Sequence, residues 1–167
     1  MSGRMETRSI APDIFEKGEF KLVGMSCSTT MADRHEKIPA MVAEFYENHI
    51  HRIKNRINEP VSYGMFVDPP NWDPDTEEFT WIAGVEVSDF DNIPEEMISK
   101  VIPAKKYAVL RYDPTTDAFD PYTYLHEWMK NEGYEQIDNF GFELFLPYKG
   151  VDSEFVLHLP VRRRKRP

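Results

Sequence analysis

The chain has 167 residues, the length of one ordinary domain, and its 41% hydrophobic and 13% aromatic content argues against disorder and for a real core. Its net charge is −9, and once Arg162, Arg163, Arg164, Lys165 and Arg166 are set aside, residues 1–161 carry 15 basic against 29 acidic groups, or −14. A body this acidic repels phosphate backbones and attracts cations, which counts against nucleic acid as a partner of the main domain.

Residues 1–18 are polar and aperiodic and read as a loosely held N-terminal arm, too short for a DNA-binding helical unit. A first strand is expected over 19–28, followed by a helix over 38–57. In that helix Ile38, Met41, Val42, Phe45, His49, Ile53 and Ile57 recur at spacings of three and four, and Pro39 falls in its first turn. Strands over 61–69 and 79–88 follow, joined by the acidic, proline-rich loop PPNWDPDTEE. After the linker DFDNIPEEMISKVIPA the order repeats. A strand over 105–113 leads to a helix over 119–133 with Tyr122, Leu125, Trp128 and Met129 as its core stripe, and the strands FGFELFLPY and SEFVLHLPV close the unit. The expected fold is α+β: two β-α-β-β units forming an antiparallel sheet, helices on one side, and a central cleft between the halves over residues 19–161. The basic segment 162–167 reads as a solvated tail.

Glu143 is the one carboxylate in FGFELFLPYKG, a stretch that is otherwise mostly aromatic, aliphatic or glycine. A buried carboxylate is costly unless it is paired, hydrogen-bonded or protonated, so Glu143 either points at water from an outer face or has a task. Strand alternation puts Phe142, Leu144 and Leu146 on one side and Gly141, Glu143 and Phe145 on the other. If the first set faces the helices, Glu143 and Phe145 form a wall of the inter-unit cleft. Other chemical signals are weak. Cys27 is the sole cysteine, which precludes an internal disulfide and fits a reducing cytoplasm. His49 and His51 sit at helical i,i+2 spacing, a poor metal pair, and no phosphate-cradling glycine loop or nucleophile elbow is present, so no metal and no cofactor are expected. No run approaches a membrane span of ~20 apolar residues.

The ordered set YGMFVDPP, FTWIAGVEV, IPAKKYAVLRYD, YTYLHEWMKNEGYE, FGFELFLP and FVLHLPV, spread over about residues 19–161, resembles the GyrI-like, or AraC-type effector-binding, domain family. In that pattern a Tyr is frequent where Trp81 stands here, and Tyr is common where Phe145 stands, which removes a hydroxyl. The resemblance implies the duplicated fold and a central cleft that takes lipophilic, often cationic compounds, with a glutamate at the position of Glu143 facing aromatic rings. The chain resembles the stand-alone members, some of which sequester toxic compounds, inhibit DNA gyrase or hydrolyse reactive xenobiotics. The expected ligand wall is Glu143 with Trp81, Tyr63, Phe145, Tyr107 and Trp72, the last as a lid in its polar loop. If the chain is an enzyme, Glu143 is the expected general base, with Tyr63 or Tyr107 donating to the leaving oxygen. Gyrase contact through the acidic loop is a further alternative.

Overall fold

The computed structural model describes residues 11–165. In chain order the strands are β1 (Asp13–Lys17), β2 (Phe20–Thr29), β3 (Ser62–Val67), β4 (Phe79–Val87), β5 (Ile98–Ile102), β6 (Lys105–Tyr112), β7 (Tyr134–Gln136), β8 (Phe140–Phe145) and β9 (Phe155–Arg163). Helix α1 is Arg34–Glu44 and α2 is Pro121–Asn131. The sheet order is β1-β6-β9-β8-β3-β4-β2-β5, with β7 added on β9, and the pairings are antiparallel. Two β-α-β-β units, β2-α1-β3-β4 and β6-α2-β8-β9, therefore meet where β3 pairs β8.

Each unit's leading strand crosses to the other unit. β1 pairs β6, with Phe15 opposite Tyr107, and β5 pairs β2, with Ile102 opposite Phe20. Only Gly18 and Glu19 separate β1 from β2, yet the two strands lie at nearly opposite ends of the order. Two residues can span such a gap only if the sheet curls until its ends approach, which makes it a half-barrel. Phe20, Tyr63, Tyr107 and Phe142 fill the inside of the curl, all at most 4% exposed. Phe142 is the hub, with ring centroids 5.8 Å from Phe20, 5.4 Å from Tyr63 and 5.2 Å from Tyr107, and 4.4 Å from the stacked ring of His158.

The helices lie on the other face. Asp120 caps α2 by accepting from the Tyr122 N–H at 3.1 Å, Pro121 occupies the first turn, and Gly133 with φ +83 follows its end. Leu125 and Met129 then pack on Leu110, Leu157 and Leu159. Val42 of α1, together with Phe45, packs on Val23, Ala83 and Val85.

Several expectations are corrected. Helix α1 begins at Arg34, so Pro39 is interior, and the helix ends at Glu44, giving way to a π-helical turn (Phe45–His49) and a 3-10 turn (Ile50–Arg52). The three-and-four spacing continues past Arg52 without a helix beneath it; Ile57 is exposed and bonds through its N–H to the Glu86 carbonyl at 2.9 Å. The linker contains β5, and residues 13–17 of the expected loose arm are the edge strand β1; the rest of that arm up to residue 10 lies outside the described residues. Of the expected tail, Arg162 and Arg163 belong to β9, where Arg162 pairs Glu135 at 2.6 Å and Arg163 covers the Tyr134 ring at 4.7 Å. The two faces are also exchanged relative to expectation: Phe142 turns into the curl and Glu143 turns toward the helices.

Candidate functional site

At the centre of the helix-bearing face the β3–β8 register sets Gly64 opposite Glu143, and the β3–β4 register sets Ala83 on the far side of Gly64. This row of one carboxylate and two small residues leaves a hollow between α1 and α2. The glycine is required there: a Cβ on Gly64 would stand 2.5 Å from Cζ2 of Trp81, whose indole lies across it. A Cβ on Gly141 would likewise meet Phe66 at 2.7 Å. Close approach of rings to backbone is why both positions lack side chains.

Tyr122 reaches in from the first turn of α2, fixed by the Asp120 cap, and its hydroxyl donates to Oε2 of Glu143 at 2.7 Å. Among the described residues no Lys, Arg or His lies within ion-pair distance of that carboxylate. Burial pushes the Glu143 carboxyl up to about 7, against the smaller opposing effect of the Tyr122 hydrogen bond. Burial, reinforced by the Glu143 charge, holds the Tyr122 phenol well above its ordinary value, so it remains a donor.

The hollow has two lobes that share Arg34, Ile38, Trp81 and Glu143. The first, about 350 Å³, runs under α1 toward the β8–β9 loop and is walled by Val42, Phe145 and a stacked pair, Tyr46 and Tyr148, with centroids 4.3 Å apart. The second, about 510 Å³, opens between α2 and the β3–β4 loop and is walled by Phe66, Trp72, Phe79 and Tyr122. Trp72 is held by its indole N–H to the Glu77 carbonyl at 3.0 Å and by an edge contact with Phe79.

Of the expected wall, Glu143, Trp81, Phe145 and Trp72 come together at the cleft. Tyr63 borders the first lobe beside Gly64, but its ring and that of Tyr107 do not enter the cleft. Both point into the curl, Tyr63 stacked on Phe20 at 5.0 Å and Tyr107 with its hydroxyl buried and without a hydrogen-bond partner among the described residues. They occupy odd positions whose strand neighbours Gly64 and Ala108 face the helices, so alternation excludes them. Tyr122 occupies the place beside Glu143 that was expected of them. It was legible only as a core stripe residue, because a ring that touches a carboxylate and one that touches leucine share the same helical spacing. Phe66 and the Tyr46–Tyr148 stack carry no sequence signal that sets them apart from core rings. Among the described residues no group of three or more His, Cys, Asp and Glu could hold a metal, and no helix is long and apolar enough to cross a membrane. Cys27, half-buried on β2, has its thiol pushed up by burial.

A curled antiparallel sheet with two helices flanking a cleft is the architecture of a GyrI-like effector-binding domain. Residues 13–161 match the model of the Cass2 family, the integron-associated effector binding proteins, and the chain belongs to that family. It is 30% identical over 112 residues to the transcriptional regulator BrlR of Pseudomonas aeruginosa, a match covering 65% of this chain and 37% of that protein. The chain thus spans little more than a third of that curated relative. Among solved structures, SAV2435 bound to tetraphenylphosphonium superposes with a TM-score of 0.68 at 12% identity, covering 91% of this chain and 94% of that one. An integron cassette protein from Vibrio cholerae superposes with a TM-score of 0.56 at 17% identity, covering 90% and 95%. At these identities the structural likenesses establish the fold.

Proposed function

We propose that the chain binds lipophilic cations, sequestering or sensing xenobiotic compounds, with Glu143 as the anionic anchor and Trp81, Phe145 and Tyr122 as the surrounding rings. The observation that carries this reading is the carboxylate itself: it sits in an aromatic hollow with one hydroxyl donor and, among the described residues, no cation within ion-pair distance. A soluble domain that keeps such a group accepts a cost of about 1–3 kcal/mol unless a partner arrives. A bound cation supplies that partner and gains ~0.5–2 kcal/mol from each ring face it meets. The family is one of effector-binding proteins, and a protein of the same fold, SAV2435, binds a tetraphenyl cation, which supports the reading.

Calorimetric titration with tetraphenylphosphonium and with its anionic isostere tetraphenylborate tests it. The wild type is expected to bind the cation and reject the anion, and Glu143→Gln is expected to weaken the cation by roughly 10- to 100-fold, or ~1.4–2.8 kcal/mol. Equal affinity for the two ions, or a variant that binds the cation unchanged, would contradict the proposal.

Hydrolysis of a reactive xenobiotic is the second reading. What favours it is the 2.7 Å Tyr122–Glu143 contact and a carboxyl held at about 7, where a general base works near neutral pH. Binding is favoured over it because the hydroxyl that would protonate a leaving oxygen already donates to the would-be base.

A further inference from the structure

The second lobe contains a carboxylate that the reading above leaves unused. Asp68 directly follows β3, on the same face as Gly64 and Phe66, and lines that lobe together with Glu143. Its backbone is pinned from both directions, its N–H donating to the Asn139 carbonyl at 2.8 Å and its carbonyl accepting from the Asn139 amide. Its carboxylate is different: among the described residues it makes no hydrogen bond and no ion pair. Asp120, at the rim of the same lobe, has both oxygens engaged, one by the Tyr122 N–H at 3.1 Å and one by the Thr123 hydroxyl at 2.9 Å. Burial alone pushes Asp68 up, with no compensating contact.

The wall beside Asp68 is already built. Trp72 is fixed edge-on to Phe79 at 5.6 Å, and Phe66, which lies 6.1 Å from Tyr122, sits on β3 between Gly64 and Asp68. Asp68 is four residues along the strand from Gly64, the partner of Glu143, which at ~3.3 Å per residue separates the two backbone positions by about 13 Å. A monocation resting on Glu143 leaves Asp68 unpaired at the far end of the same cavity. The one basic side chain shared by both lobes, Arg34, bonds to the Met31 carbonyl and sits among three acidic lining groups, Asp68, Asp120 and Glu143.

We propose that the second lobe is a second cation subsite, with Asp68 as its anchor and Trp72 and Phe79 as its ring walls, and that the cleft accommodates elongated aromatic dications spanning both carboxylates. The proposal rests on the reading of Glu143 as a cation anchor.

Pentamidine, an aromatic compound carrying an amidinium at each end, serves as the dication, 4-propoxybenzamidine as its singly charged half and tetraphenylphosphonium as a compact monocation. Titration calorimetry of the full chain should find pentamidine bound more tightly than its half. Asp68→Asn should weaken pentamidine about tenfold while leaving tetraphenylphosphonium within about twofold, and Glu143→Gln should weaken both. Retained tetraphenylphosphonium binding reports that the Asp68 variant is folded, and Asp68→Ser should reproduce the selective loss. Pentamidine affinity unchanged in both Asp68 variants, or lowered in step with tetraphenylphosphonium, would overturn the second subsite while leaving Glu143 as an anchor. A wild type that binds none of the three cations would overturn both.

Discussion

At pH 8 the Glu143→Gln protein is expected to melt higher than the wild type, and near pH 4 the two are expected to melt together. The folded carboxyl is raised from its ordinary 4.5 to about 7. Between those values the folded state therefore holds a proton that the unfolded state has released, and stability falls as pH rises. The group's stabilising contribution is fully present below about 4.5 and lost as pH climbs through 7. The glutamine removes the charge and keeps an oxygen for the Tyr122 hydroxyl. The gain at pH 8 is on the order of 3 kcal/mol, or roughly 6–12 °C for a domain of this size. His158 works in the opposite sense: burial lowers it to about 4, so its contribution is present above its ordinary 6.5 and lost as pH falls through 4. It is common to both proteins and cancels in the difference. Differential scanning calorimetry across pH 4–8 checks this, and a glutamine variant less stable than wild type at pH 8 would show that the carboxylate is already well compensated without a ligand.

Phe142→Ala is expected to cost about 3–5 kcal/mol and to lower the melting temperature by at least about 6 °C. The ring is 0% exposed and meets Phe20, Tyr63, Tyr107 and His158. Those partners come from β2, β3, β6 and β9, two strands from each unit, so the ring ties the halves together behind the cleft. Urea denaturation measures the loss, and a cost below ~1.5 kcal/mol would mean that the inside of the curl is loosely packed.

Much of this was legible from local pattern. The isolated carboxylate in FGFELFLPYKG and the period-2 alternation around it placed Glu143 opposite Phe142 in direction, and the repeated strand-helix-strand-strand order set the two units and their sheet. Which face the helices cover was not legible, because Phe142 and Leu144 on one side and Phe145 on the other are comparably apolar, and only the long-range crossing of β1 and β5 decides it. The same crossing turns DIFEK and ISKVI into edge strands, although each is short and carries a lysine, as edges commonly do. Tyr122 escaped because its helical spacing is that of a packed residue. Asp68 escaped because an aspartate just before two prolines reads as a turn.

The central claim is that an ionised Glu143 is what a bound cation meets, and proton release on binding tests it most directly. Tetraphenylphosphonium is titrated at pH 7 in two buffers of different ionisation enthalpy. With the free carboxyl at about 7, roughly half a proton per cation should be expelled by the wild type and none by Glu143→Gln. Cation binding by the wild type with no proton released would contradict the account.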